Sequence, residues 1–224
     1  MKTKLIVMLT QHDQTVKNAL EVFEGVKDLP VDCWGFKDVG LPKEDMKVLL
    51  DALKAAGKET FLEVVTYSEE ECMAGAKLAV EMGFDILMGT LFYPAVWEYL
   101  KDKNIKYFPF VGKVSGSPSI LEGTPEEIAE EAKKYEAMGV AGFDILAYRH
   151  TSCPEEAAKK LIESVKIPVV IAGSVNGRER MQFVESTGAY GFTMGSALFA
   201  KDFVKDGSFR DNLKAVCDLM DTID

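Results

Sequence analysis

Histidine is scarce in this chain, with two in 224 residues, and the four cysteines (Cys33, Cys72, Cys153, Cys217) form no close pair or knuckle spacing. A zinc knuckle needs such ligands at set intervals, so none is expected, and no metal site is predicted. A chain of this size does not depend on a disulfide framework, and the cysteines read as reduced thiols. Positive charge is also short: 26 basic residues face 36 acidic ones, for a net charge of −10. Nucleic acid and anionic membrane both call for a basic patch that this balance does not supply, which leaves a small molecule as the expected partner. Long apolar runs are missing too. None approaches the ~20 residues of a membrane-spanning helix. The N-terminal run Leu5 to Leu9 is too short for a signal segment, so a cytoplasmic protein is expected. No linker-like or low-complexity stretch divides residues 1–224, which are read as one domain.

What the chain has is alternation. Short runs rich in Val, Ile and Phe are separated by longer amphipathic stretches, the pattern of parallel strands joined by crossover helices. Eight runs are found: Leu5 to Thr10, Asp32 to Lys37, Phe61 to Thr66, Ile86 to Thr90, Lys106 to Val111, Ile145 to Tyr148, Val169 to Ala172 and Phe192 to Gly195. Helix starts are marked by Ser68 with Glu71 and by Thr124 with Glu127, both capping-box patterns. Helix ends are marked by Gly57, Gly83, Gly139 and Gly188. Gly83-Phe-Asp-Ile-Leu87 recurs as Gly142-Phe-Asp-Ile-Leu146. The repeat puts Asp85 and Asp144 at strand starts, the bottom of a barrel, where residues serve stability.

An open doubly wound sheet would place a glycine-rich loop after the first strand. Gln11-His12-Asp13-Gln14 stands there instead. The reading is a (β/α)8 TIM barrel.

Function in such a barrel gathers where strands end. The seventh run ends in Gly173-Ser174 and the eighth in Gly195-Ser196. Glycine lets the backbone approach an anion, a following helical turn aims free N–H groups at it, and the serines add hydroxyls. This pair of Gly-Ser dipeptides, one strand-helix unit apart, resembles the phosphate cradle of the ribulose-phosphate-binding barrel superfamily. That superfamily includes phosphoribosyl isomerases, phosphosugar epimerases and phosphosugar aldolases, and no individual family is singled out. The resemblance implies a small phosphorylated substrate. FMN-dependent barrels use a similar cradle. The acid-base aspartates that phosphoribosyl isomerases carry at the ends of strands one and five are replaced by Thr10 and Val111-Gly112.

Two ionisable residues stand near strand ends in apolar company. Lys37 closes the second run, and Glu63 lies inside the third between Leu62 and Val64. A carboxylate in that setting must be paired, and a facing lysine would pair it. Glu63 is the candidate base for a proton next to a carbonyl, and Lys37 the stabiliser of the enolate oxygen. A buried structural ion pair is the competing reading. Arg149, after the sixth run, is a candidate clamp for a phosphate or carboxylate. His150 beside it and His12 fall on the same face, but no ligand spacing joins them with Asp13 into a metal site. The loop after the fifth run, with Gly112, Lys113, Ser115 and Gly116, is read as a lid that brings Lys113 inward. Lys106-Tyr-Phe-Pro109 is similar to the strand that supplies the Schiff-base lysine of keto-deoxy-phosphogluconate aldolase.

The first expectation is therefore a phosphosugar isomerase or epimerase that needs no cofactor. A Schiff-base aldolase using Lys37, or else Lys113 or Lys106, is the second. A flavin-binding oxidoreductase and a non-catalytic phospholigand sensor complete the readings. Barrel exteriors are amphipathic whether or not they meet a copy of themselves, so association into a homo-oligomer stays open.

Overall fold

The computed structural model describes residues 3–223. Its barrel strands are β1 (Lys4–Met8), β2 (Cys33–Lys37), β3 (Glu59–Glu63), β4 (Ile86–Met88), β5 (Lys106–Phe108), β6 (Phe143–Ile145), β7 (Val169–Ile171) and β8 (Gly191–Met194). They pair in parallel in the order β6-β7-β8-β1-β2-β3-β4-β5. The cylinder shuts between β5 and β6. There Phe110 and Asp144 form a bridge, and the Asp144 N–H donates to the Pro109 carbonyl at 3.0 Å. The chain is a (β/α)8 barrel.

Each strand is followed by a helix: α1 (Ala19–Glu24), α2 (Lys43–Ala55), α3 (Glu69–Met82), α4 (Pro94–Leu100), α5 (Pro125–Met138), α6 (Pro154–Ser164), α7 (Arg178–Thr187) and α8 (Phe209–Met220). A single extra turn, Ser196–Phe199, comes directly after β8. The marked boundaries are where the sequence places them. Ser68 and Thr124 accept the backbone N–H groups of Glu71 and Glu127, and the four helix-ending glycines all take positive φ. Among the described residues no helix is long and apolar enough to cross a membrane.

The sixth strand departs from expectation. It starts at Phe143 rather than Ile145, and residues 147–149 form a 3-10 turn instead of strand. The repeated pentapeptide explains the shift. Gly83 is itself the left-handed cap of α3, so Asp85 precedes β4. In the second copy Gly139 caps α5, which leaves Gly142 at the threshold of β6 and Asp144 in the middle of that strand.

Strand residues alternate between the helices and the barrel interior. On β2, Trp34 and Phe36 turn outward, meeting Phe23 and Phe84 edge-on at ring-centroid separations of 5.1 Å. Cys33, Gly35 and Lys37 therefore turn inward. A Cβ on Gly35 would stand 2.7 Å from Met8 Sδ and 2.9 Å from Phe61 Cβ, so this position must be glycine for two larger interior side chains to fit. On β3 the inward set is Glu59, Phe61 and Glu63. At the lower end Glu59 accepts from Lys4 Nζ (3.2 Å), Lys106 Nζ (3.0 Å) and the Tyr190 hydroxyl (3.0 Å), which plugs the bottom of the barrel with a saturated carboxylate. Burial pushes the Cys33 thiol beside it up to about 12 and that of Cys217 up to about 11, as expected of unreactive core cysteines.

The return from β8 to α8 is tied by Asn212, which is fully buried. Its carbonyl accepts the N–H groups of Phe203 and Val204, and its amide donates to the carbonyls of Val204 and Ser208. Asn212→Ala leaves the N–H groups of Phe203 and Val204 without this acceptor, whereas the Val204 and Ser208 carbonyls keep the backbone N–H groups of Gly207 and Asn212. It is expected to lower unfolding free energy by about 2–4 kcal/mol, read from urea melts at unchanged m-value; a loss below about 1 kcal/mol would show that the loop is held by other means.

Candidate functional site

A cavity of about 130 Å³ opens at the C-terminal ends of the strands. Gly173, Ser174 and Val175 from the loop after β7 and Gly195, Ser196 and Ala197 from the turn after β8 form one side. Lys37, Glu63 and Thr193 reach it from within, Asp13 stands at its rim, and Val65, Phe110 and Leu146 add apolar lining. Seven residues singled out in the sequence thus meet in one place: Lys37, Glu63, Arg149, Gly173, Ser174, Gly195 and Ser196.

Lys37 and Glu63 are register partners across β2 and β3, so parallel pairing puts both at the same height. Lys37 Nζ lies 4.0 Å from Glu63 Oε2 and donates to Asp13 Oδ1 at 3.2 Å. The lysine and the glutamate are about a tenth exposed, whereas Asp13 is half exposed. Asp13 belongs to a short hairpin, Thr10–Gln11 with Gln14–Thr15, whose turn takes positive φ at His12 and Asp13. Thr15 secures this hairpin to β2, its hydroxyl donating to Lys37 O at 2.8 Å and accepting Lys37 N–H at 2.9 Å. The lysine is thus flanked by two carboxylates, in the arrangement of an ion pair.

The Gly-Ser loops carry constraints of their own. Gly173 takes φ +77°, and a Cβ there would stand 2.9 Å from Arg149 Nε. A Cβ on Gly195 would lie 2.8 Å from both Met8 O and Thr10 Oγ1, so that glycine also lets the end of β8 pack against the end of β1. The loops are joined by Gly173 N–H donating to Thr193 Oγ1 at 3.3 Å. Ser174 is exposed with φ +59°, and its carbonyl is held by Arg180, which also bonds Asn176 and stacks over Tyr148. Ser196 opens the turn after β8, and the first N–H groups of such a turn have no partner inside it. Arg149 lines the cavity beside Gly173 and is half-buried.

Other candidates fall elsewhere. His150 is buried and structural: its Nδ1 accepts the N–H groups of Ser152 and Cys153, which places the proton on Nε2 facing the Gly123 carbonyl at 2.8 Å. His12 is exposed. No three His, Cys, Asp or Glu residues are grouped to hold a metal among the described residues. The loop expected to be a lid is a hairpin, Lys113–Ser115 with Ile120–Glu122. Its alternation turns Val114 and Leu121 inward and leaves Lys113 and Ser115 exposed; neither they nor Gly116 line the cavity. The hairpin contributes Ser119 instead, buried and bonded to the Tyr67 hydroxyl at 2.6 Å. Lys106 sits at the barrel bottom on Glu59, far from the strand ends.

Asp85 serves as the sequence suggests, Oδ2 accepting the backbone N–H and hydroxyl of Thr60. Asp144 does not. It is fully buried in mid-strand, and neither carboxylate oxygen has a hydrogen-bond partner. Burial holds its carboxyl well above the ordinary range, and the Glu63 charge pushes it the same way against Lys37 and Arg149. The residues that sequence reading missed, Thr10, Ser119 and Thr193, are small hydroxyl side chains whose role depends on where loops and strands meet.

No protein-family model matches the chain. It is 31% identical over 106 residues, 43% of its length, to a 1-(5-phosphoribosyl)-5-((5-phosphoribosylamino)methylideneamino) imidazole-4-carboxamide isomerase of Methanosarcina barkeri. The matched stretches span less than half the length of the curated relatives. Orotidine 5'-phosphate decarboxylase from Pyrococcus horikoshii superposes with a TM-score of 0.70 at 14% identity, covering 97% of this chain and 99% of that one. The likeness shows the (β/α)8 barrel fold. No family within it is marked out. N-acetylmannosamine-6-phosphate 2-epimerase from Clostridium perfringens shares the barrel as well, with a TM-score of 0.64 at 14% identity over 87% of this chain and 86% of that one.

Gly173 offers a direct check on the loop geometry. Gly173→Ala places a side chain in a left-handed backbone region and against Arg149. The expected cost is about 1–2 kcal/mol of stability by chemical denaturation, and an unchanged melt would show that the loop relaxes freely.

Proposed function

We propose that this barrel is a phosphosugar isomerase or epimerase that moves a proton next to a carbonyl. The observation that carries the reading is the Lys37–Glu63 pair, in register inside the cavity that the Gly-Ser loops rim. A phosphate at those loops would accept hydrogen bonds from the turn after Gly195 and from the hydroxyls of Ser174 and Ser196, with the planar fork of Arg149 alongside. The phosphate fixes one end of the substrate and so directs its carbon chain toward Lys37 and Glu63. Glu63 takes the proton from the carbon beside the carbonyl, and the Lys37 ammonium stabilises the oxygen as it becomes an enediolate. Return of the proton to the neighbouring carbon gives isomerisation, and delivery of a proton from solvent water to the opposite face of the same carbon, with Glu63 keeping the one it took, gives epimerisation. Asp13 keeps the lysine aimed. The isomerase name of the partial relatives and the epimerase name of a structural neighbour support the reaction class.

A Schiff-base aldolase is the second reading, favoured by Lys37 being the one lysine that lines this cavity among the described residues. The two carboxylates beside its amine count against a free nucleophile. Borohydride separates the readings, since a substrate-dependent covalent mass increase lost in Lys37→Ala would select the aldolase.

The test is thermal stabilisation by a panel of phosphosugars, each beside its unphosphorylated parent. A ligand at a hundred times its dissociation constant adds about 2.7 kcal/mol. The shift is expected to require the phosphate and to be lost in Arg149→Gln. With the best ligand in heavy water, deuterium should enter the carbon next to the carbonyl, and Glu63→Gln should slow that exchange by about 10²–10⁴-fold while keeping the thermal shift. Full exchange in Glu63→Gln would remove that residue from the chemistry. Absence of any phosphate-dependent shift would overturn the cradle.

A further inference from the structure

Among the described residues, Asp144 is the only carboxylate whose two oxygens are both buried without a hydrogen-bond partner. A side chain of this kind calls for a reason, because an unsatisfied buried polar group costs stability that a leucine in the same place would not. Its position supplies one. Asp144 lies on β6, across the barrel from β2 and β3. Its register partner is Val170, which is in turn level with Gly191, and Thr193 two residues further along that strand lines the cavity; Asp144 therefore shares this inward face, one level beneath the cavity. The charged groups facing it are Glu63, Lys37 and Arg149, and its strand partners Val170 and Phe110 are apolar. One lysine thus stands among three carboxyl groups: Asp13 at the exposed rim, Glu63 beside the cavity and Asp144 below.

Were Glu63 and Asp144 both ionised, the interior would hold two anions, one of them without a single donor. Were Glu63 the protonated member, the pair with Lys37 would be lost and the base with it. We propose that Asp144 is a positioning residue for this site: a carboxyl that keeps its proton, so that Glu63 stays the ionised partner of Lys37. It acts through Glu63 and touches no substrate. Its proton also keeps a negative charge out of the floor beneath a site that must accept an anion and then an enediolate. Burial and the neighbouring Glu63 charge hold the Asp144 carboxyl well above the ordinary range, in accord with this role. The sign follows: affinity for an anion is full while Asp144 is protonated and falls as rising pH removes that proton. The inference rests on the proposed cradle and on Glu63 as base.

Sulfate is a suitable probe because its own charge does not change across the working range. Its affinity for the wild-type chain should fall by about tenfold as pH rises through the titration of Asp144. In Asp144→Asn, which keeps a neutral side chain of the same shape, affinity should stay at the wild-type acid value throughout. Carbon-13 NMR of labelled aspartate carboxyls, assigned through the backbone, should find Asp144 of the wild type protonated at about pH 6, where ordinary carboxyls have ionised. An ionised Asp144 at that pH would overturn the proposal, as would sulfate profiles of the two proteins that superpose. The NMR measurement decides the matter if the Asn variant fails to fold. If sulfate binds neither protein at any pH, the cradle reading fails and the carboxyl resonance alone judges Asp144.

Discussion

A charge inside a barrel persists only where an opposite charge or a donor can reach it, and parallel strands allow such partners at fixed levels alone. On β3 the inward side chains climb as Glu59, Phe61 and Glu63: carboxylate, ring, carboxylate. The lower glutamate has four donors, Lys4, Lys106, Tyr190 and the Cys33 thiol, and is finished as a structural plug. The upper one has the Lys37 ammonium at 4.0 Å and is otherwise turned toward the cavity. The same side chain, two steps apart on one strand, is closed to chemistry at one level and available to it at the other. Between them, Phe61 keeps the two polar layers apart, and Gly35 makes room for it.

Much of the fold was readable because its signals are local. Capping hydroxyls and helix-ending glycines act within a single turn, and the apolar runs follow from strands covered on both faces. The Lys37–Glu63 partnership could be anticipated because neighbouring parallel strands in a barrel bring their ends to one height. What the sequence concealed depends on distant contacts. The sequence places Asp144 at a strand start because its pentapeptide matches the one around Asp85, yet the same five residues sit differently against the preceding helix cap, Gly83 in one copy and Gly139 in the other. The segment from Gly112 to Ser119 reads as small and polar, and its folding into a hairpin turns on Val114 and Leu121 finding the core. That pairing sends Lys113 to solvent and brings Ser119 inward.

The structural neighbours show how little the barrel itself decides. A decarboxylase and an epimerase superpose on this chain over most of its length at 14% identity. Reaction type resides in the few side chains at the strand ends. In this chain the strand ends carry a lysine between carboxylates and an arginine leaning on a glycine, with the loops after β7 and β8 beside them.

The closure between β5 and β6 is the narrowest joint in the cylinder. Pro109 has no N–H to offer, so this stretch of the seam relies on its carbonyl receiving the Asp144 N–H and on Ala141 N–H reaching Tyr107 O at 3.1 Å. Phe110, the next residue, is also part of the cavity wall. The staves of this cask are therefore joined by few bonds where its mouth is lined, so a local opening of this seam would admit water to the cavity and to the buried carboxyl below it.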